Sequence, residues 1–350
     1  MIKPQPASVT AIPTYTVGPL RLVGADIADA SRREDVLVPL ATLETPLIPA
    51  VNRGARAACE GNGIHVTVVS DMMTRSVVLE GQNARQTVDA WRHIGAREPE
   101  IARVVESTTR FGRFAALHGQ LVGNLLFLRL GMTTGDAAGH NMVTGAAEAL
   151  TEWVLHRFPR LKSVSISGNL CTDKKVSAVN GLLGRGKHVI AEVRVPRKTC
   201  ETLLRTTPER IAALNVKKNL LGGILAGSVR SANAHFANIL LAFYLATGQD
   251  AANIVEGSQG ITHAEARDGD LAVSVTLPNL IVGTVGNGKQ LEFARDNLTM
   301  LGCAGNAPPG ANARRLAAIC GAAVLCGELS LLGAQTNPGE LMRAHRLLER

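Results

Sequence analysis

The feature that most constrains this fold is an uninterrupted apolar run at residues 316–327, LAAICGAAVLCG, inside a stretch of helical period over 311–332. A helix that is apolar on every side must be surrounded by protein or by lipid. At 12 residues the run is too short to cross a bilayer, so it is expected to lie buried at the centre of a domain. A chain of 350 residues can supply the layers around it, as one large domain or two ordinary ones.

Composition narrows the function classes. Hydrophobic residues make up 46% and charged residues 19%, a globular balance. The net charge of +8 favours anionic partners: nucleic acid, a membrane surface or a polyphosphate cofactor. Aromatics are only 3%, too few for a nucleic-acid surface built on stacking. The six cysteines show neither a C-x-x-C pair nor any metal-ligand spacing, so reduced thiols and no metal are expected. The opening MIKPQPASVT lacks the apolar core of a signal peptide. A cytoplasmic protein without nucleic acid or membrane as partner is the expectation.

Periodicity divides the chain. HVTVV at 65–69 reads as a strand, and 84–93 and 99–108 read as helices. Residues 113–118 and 121–130 read as strands, 139–158 as a helix and 163–166 as a strand. Alternation of this kind suggests a small sheet with helices on one face. Residues 228–247 read as a helix stopped by Gly248. The expected architecture is α/β (α+β): a large mixed domain, 1–76 and 167–350, interrupted by a small one at 77–166.

Five segments can carry chemistry. Glu44 lies in the uncharged run VPLATLET, a setting in which a carboxyl can hold a proton; a solvated loop residue is the plainer alternative. Asn52, Arg53 and Arg56 follow, with two guanidiniums spaced to share a phosphate or simply to face solvent. SGNLCTDKK at 167–175 puts Lys174 and Lys175 after Asp173 in a polar loop, either a surface turn or a place to polarise a carbonyl. His235 and Asn238 are expected on one helix face, before Asp250 in GQD. Two glycine-rich turns, GDAAGHN at 135–141 and GTVGNGK at 283–289, can bring backbone N–H groups to an anion. Neither matches the G-x-G-x-x-G fingerprint, so any dinucleotide site must be built differently. His345 stands near the C-terminus, where an exposed tail residue is the plain reading.

Taken in order, GDAAGHNM, SGNLCTDKK, ANAHFANI with GQDAA, and GTVGNGK resemble the catalytic domain of hydroxymethylglutaryl-CoA reductase. The resemblance runs from about residue 17 to 345 and is closer to the class that includes the eukaryotic and archaeal enzymes. It implies a small inserted ferredoxin-like domain for NADP(H), a large domain for the acyl-CoA, and a homodimer or dimer of dimers with shared active sites. It implies catalytic roles for Glu44, Lys174, Asp250 and His345. Substrate contacts are implied for Arg75, Ser167, Asp173, Lys175, Lys218, His235 and Asn238, and coenzyme A contacts for Asn52, Arg53 and Arg56. Cofactor contacts are implied for Thr109 and Arg110 at a 2′-phosphate, and for Asp136, Asn141, Gly283, Thr284, Gly286 and Gly288.

The implied reaction is reduction of 3-hydroxy-3-methylglutaryl-CoA to mevalonate. The rivals are a related acyl-CoA, NAD-dependent oxidation of mevalonate, and a non-catalytic cofactor-binding relative. Departures from the family pattern fall at 45–50 (TPLIPA), at Arg230, and at Asn287 and Lys289, where the family prefers glycine and a small residue.

Overall fold

A computed structural model describes residues 8–24 and 33–348; the side chains of Ala344 and His345 lie outside the description. Among the described residues nine strands form the framework: β1 (Thr14–Val23), β2 (Arg33–Ala41), β3 (Ile64–Glu80), β4 (Arg113–Val122), β5 (Leu125–Thr133), β6 (Lys162–Ser165), β7 (Gly186–Val195), β8 (Ile261–Arg267) and β9 (Asp270–Leu280). The larger sheet runs β2-β1-β3-β7-β9-β8. Its pairs are antiparallel apart from the short parallel contact of β1 with β3.

β3 belongs to two sheets. His65 to Met72 pair with β7, whereas Met73 to Glu80 pair with β5. HVTVV is therefore the start of a strand of 17 residues that crosses position 76/77 without a break. Its second half, with β6 on one side and β5 then β4 on the other, makes a smaller antiparallel sheet ordered β6-β3-β5-β4. β4 and β5 meet at a tight turn through Gly123 and Asn124. Gly123 takes φ +58°, the left-handed conformation that suits the first central position of a two-residue hairpin. The expected second strand, 121–130, is thus split by this turn, and Leu121 and Val122 end β4.

The helices among the described residues include α1 (Leu47–Glu60), α2 (Ala84–Gly95), α3 (Glu98–Glu106), α4 (His140–Arg157), α5 (Phe236–Ala246), a short α6 (Ile254–Gly257), α7 (Ala311–Gln335) and α8 (Glu340–Leu348). Alternate residues of β3 and β5, among them Met73, Val77, Leu126, Leu128 and Leu130, bury one face of the small sheet against α2, α3 and α4. Chain order in this unit is strand, helices, strand, strand, helix, strand, which is the ferredoxin-like arrangement.

The apolar run of α7 fills the centre of the larger layer. Every residue from Leu316 to Ser330 is buried. α7 is the one helix among the described residues long and apolar enough to cross a membrane, and 94% of that stretch is inside the protein. It packs on β7 and β9 on one side and on α1 on the other. α1 comes so close that a Cβ built on Gly54 would sit 1.9 Å from the Cys326 carbonyl oxygen. Only a glycine permits that backbone-to-backbone approach.

The helix expected over 228–247 begins only at Phe236. Arg230 takes φ +49°, and Ala232 bonds into the strand layer instead: its N–H donates to Gly260 and its carbonyl accepts from Thr262. With those groups satisfied laterally, residues 228–235 have no helical ladder to join.

Candidate active site

Two short segments bring the central residues together. Residues 167–177 form a loop in which Asn169, Thr172 and Lys174 all take positive φ, the last at +55°. Three non-glycine residues in that region are costly individually and persist only where surroundings impose them. Asp250, at the end of the turn after α5, caps the following helical turn by accepting from the Ala252 N–H at 3.1 Å.

Lys174 and Asp250 meet. Nζ lies 2.7 Å from Oδ2, with both side chains half-exposed. The hydrogen bond to Asp250 raises the Lys174 ammonium above its ordinary value, against the opposing effect of burial. Burial works to raise the Asp250 carboxyl, but the hydrogen bonds from Lys174 and the Ala252 N–H outweigh it and hold the group below its ordinary value. The pair is therefore ionised across the neutral range.

The pair opens into a cleft of about 710 Å³ between the small sheet's helix α4 and the turn after β9. Arg75, Asp173 and Asn141 line it, as do Gly286 and Gly288. Arg75 Nη1 stands 4.0 Å from Asp173 Oδ2, and its Nε donates to the Ile166 carbonyl at 3.1 Å. Lys175 and Ser167 lie exposed on the same loop, with Lys175 Nζ 3.1 Å from the Asp173 carbonyl. α4 starts at this cleft with Gly139 at φ +95° as its N-cap. Its first N–H groups face an anion-favouring end of the helix dipole.

Several groups in and behind the cleft lie outside the set of site residues expected from sequence. Lys289 is only 8% exposed, and its Nζ has a carbonyl, that of Asn287, at 3.3 Å. Burial pushes its ammonium below the ordinary lysine value, against the pull of Asp250. Burial and the Arg185 guanidinium push the His140 imidazole down, and its Nε2 has no hydrogen-bond partner. Arg185 and Glu256, both fully buried behind the loop, make an ion pair at 2.8 Å. Nothing in the stretches GRGKH or IVEGS marks either residue by spacing; only the tertiary contact does.

Glu44 is elsewhere. It lines a second cleft, of about 220 Å³, with His235, Arg53, Ala50 and Glu340. Asn238 Nδ2 donates to Glu44 Oε2 at 2.8 Å. His235 is the N-cap of α5 rather than a residue on its face, so the expected i, i+3 pair is not formed within the helix. Its backbone N–H donates to Glu328 Oε1 at 2.6 Å. Glu328 is a buried carboxylate on α7 that also accepts from the Ala234 N–H and, at 2.7 Å, from the Thr262 hydroxyl. Lys218 is half-buried, and burial lowers its ammonium against the attraction of Glu328. Within one chain the residues thus fall into two sets: Lys174, Asp250, Asp173 and Arg75 in the large cleft, and Glu44, Asn238 and His235 in the small one.

Other expected residues have visible partners. Asn52 Oδ1 accepts from the Gly18 N–H at 2.8 Å and ties α1 to β1. Arg53 is held by Ser330 and by the Glu340 carboxylate of α8, while Arg56 is exposed. Asp136 receives the Ala313 N–H at 2.9 Å and the Gly310 N–H at 3.2 Å, capping the start of α7. Its carbonyl accepts from Thr284, and Gln249 bonds both the N–H and the carbonyl of Gly283. Thr109 Oγ1 accepts from Phe111 and Gly112 in the loop after α3, and the exposed Arg110 lies 5.9 Å from the Phe111 ring. His345 is on α8, and its side chain lies outside the described residues. Among the described residues no three His, Cys, Asp or Glu side chains are grouped as metal ligands would be.

Comparison with known proteins places the chain in a family. The family profile described as hydroxymethylglutaryl-coenzyme A reductase matches residues 6–350. A 3-hydroxy-3-methylglutaryl-coenzyme A reductase of Aeropyrum pernix is 45% identical over 347 residues, covering 99% of this chain and 81% of that protein. One from Pyrococcus horikoshii is 45% identical over 345 residues, covering 98% of this chain and 82% of its own length. A class II 3-hydroxy-3-methylglutaryl-CoA reductase structure from Streptococcus pneumoniae, bound to NADPH in open conformations, superposes with a TM-score of 0.73. It shares 19% identity and covers 95% of this chain and 86% of that one, a likeness of fold. The chain belongs to the hydroxymethylglutaryl-coenzyme A reductase family.

Proposed function

We propose that this protein reduces 3-hydroxy-3-methylglutaryl-CoA to mevalonate and free coenzyme A with two equivalents of NADPH, in the cytoplasm and apart from membrane or nucleic acid. The observation that carries the reading is the ionised Lys174–Asp250 pair on the floor of the large cleft. The cleft suits a dinucleotide: α4 begins at it, two glycines with positive φ line its far wall, and the buried Lys289 ammonium has spare hydrogens for an anion. When bound, each NADPH would supply one hydride, so two cofactor molecules in succession would reduce the one carbonyl carbon. On this reading 77–166 is the cofactor-binding unit and 1–76 with 167–350 the acyl-CoA unit.

The protein's part is electrostatic. The Lys174 ammonium stabilises the oxyanion that forms when the thioester carbonyl is first reduced, and polarises the aldehyde oxygen in the second reduction. Asp250 keeps that ammonium charged. Two protons are needed overall, one for the alcohol oxygen and one for the departing thiolate; Glu44 and His345 are assigned to these, respectively. Arg75, Ser167, Asp173 and Lys175 hold the carboxylate and hydroxyl of the acyl group, with Lys218, His235 and Asn238 on the opposite wall. Asn52, Arg53 and Arg56 meet coenzyme A, and Thr109 with Arg110 meets the 2′-phosphate. Asp136, Asn141, Gly283, Thr284, Gly286 and Gly288 support the rest of the dinucleotide.

Because Glu44 and Lys174 line different clefts of one chain, the complete site combines Lys174 of one subunit with the partner subunit's Glu44. Two experiments test this. Purified protein given the substrate should oxidise two NADPH for each coenzyme A thiol released; no oxidation with any of a panel of acyl-CoA thioesters rejects the reading. Glu44→Gln and Lys174→Ala variants, each inactive alone, should regain about a quarter of wild-type turnover when unfolded and refolded together, because each mixed dimer keeps one intact site. No recovery in mixed dimers rejects the shared site.

A further inference from the structure

Behind the site, a fully buried ion pair lies against the loop that carries its exposed lysine. Arg185 and Glu256 are 1% and 0% exposed at the side chain, and Arg185 Nη1 lies 2.8 Å from Glu256 Oε1. The same Glu256 oxygen accepts the backbone N–H of Lys174 at 3.1 Å and an Asn253 amide hydrogen at 3.0 Å. The other end of the guanidinium, Nη2, lies 3.0 Å from Asp173 Oδ1. One arginine therefore grips the residue before Lys174 directly, and Lys174 itself through Glu256.

Glu256 and Asp250 come from one continuous segment, the turn after α5 and the short helix α6. They hold Lys174 at two points, Asp250 at the ammonium and Glu256 at the backbone. The second point matters because Lys174 sits at φ +55°, a conformation that a lysine abandons unless its backbone is restrained. A buried ion pair is weak evidence of stability, since apolar residues of similar size do as well or better. A pair kept at the back of a half-exposed lysine calls for another reason.

We propose that Arg185 and Glu256 are positioning residues: together they lock the backbone of Lys174 so that its ammonium points into the large cleft against Asp250. The inference rests on the reading of Lys174 as the group that polarises the thioester. Neither residue lines the cleft; Glu256 acts through the Lys174 N–H, and Arg185 through Glu256 and the Asp173 carboxylate.

The test is the paired apolar variant Arg185→Met with Glu256→Leu, which removes both buried charges at once and so avoids stranding either one. The expected result is a melting temperature close to wild type with kcat lowered about 100-fold and KM for NADPH within twofold, the signature of a misplaced group rather than a lost binding contact. A second readout is independent of turnover: the pH dependence of Lys174 acetylation by acetic anhydride, followed by peptide mass spectrometry. Wild-type Lys174 should titrate above the ordinary lysine value of 10.5, and the paired variant should fall back towards it. A folded paired variant with wild-type kcat and wild-type Lys174 titration overturns the proposal. Should the paired variant fail to fold, Glu256→Gln and Arg185→Lys decide the matter: lowered kcat at unchanged KM supports it, and wild-type kcat in both overturns it. Wild-type protein inactive on every thioester would reject the functional reading, while the acetylation profile would still show whether the clamp exists.

Discussion

The ammonium of Lys174 lies 2.7 Å from the carboxylate of Asp250, and each holds the other's charge in place. The hydrogen bond raises the lysine above 10.5, so it stays charged to higher pH than a free lysine. Loss of the Lys174 proton, read by the pH dependence of its acetylation, should therefore lie above the range of a free lysine. Asp250→Asn removes the anion, which moves that titration to lower pH and should lower kcat about 100-fold through weaker oxyanion stabilisation. Lys174 acetylation against pH and kcat at neutral pH, measured on the two proteins, check the two effects. The acid side behaves in the opposite sense: Asp250 titrates below 3.8, so the pair survives until the pH drops beneath that value.

Gly54→Ala should destabilise the protein by about 3 kcal/mol, the upper end for overpacking, because the new methyl would meet the Cys326 backbone 1.9 Å away. Denaturant unfolding measures this directly. Arg53 is the preceding residue on α1 and bonds Ser330 one turn along α7, so affinity for coenzyme A should weaken in the same variant.

Glu328→Ala should cost about 3 kcal/mol, because it leaves the Ala234 and His235 N–H groups and the Thr262 hydroxyl without their acceptor. The two N–H donors stand at the N-terminus of α5, which presents Asn238 to Glu44. Loss of stability should therefore be accompanied by loss of turnover even in the fraction that stays folded. Turnover per folded molecule, corrected by circular dichroism, separates the two.

Glu340→Gln weakens the ion pair with Arg53 that fastens α8 to the body of the protein. Both partners are about four-fifths buried, but the pair fastens only the terminal helix, so the loss should appear as local detachment of α8 rather than as a change in global unfolding. Limited proteolysis should show faster cleavage beyond Gln335, with the remainder of the chain protected.

How far the sequence alone carries depends on whether contacts are local. Helices α2, α3 and α4 and the hairpin strands follow from period and composition to within a few residues, because each buries one regular face. The apolar 316–327 run declares its own burial. The helix expected over 228–247 is too long by eight residues at its start, since Ala232 makes its hydrogen bonds with Gly260 and Thr262, far away in sequence. β3 is legible only as HVTVV because Ser70, Asp71, Arg75 and Ser76 interrupt the apolar pattern before Val77 and Val78 resume it. At the site, GQD and DKK can be read as motifs. That Asp250 meets Lys174 in one cleft while Glu44 lines another cannot, and neither can the buried Arg185–Glu256 pair, which joins positions 71 residues apart.

β3 has one further consequence. The strand runs for 17 residues, serving the larger sheet with one half and the smaller sheet with the other. Between Val66 and Val77 it is hydrogen-bonded on one flank only, it carries an irregularity at Val69, and its partner changes from β7 to β5 between Met72 and Met73. A pleated ribbon paired on a single flank gives way more readily than one bound on both, so a tilt of the smaller layer against the larger is absorbed at that changeover. α8, fastened to the body through the Arg53–Glu340 ion pair, is a second movable piece, built like a latch rather than a beam.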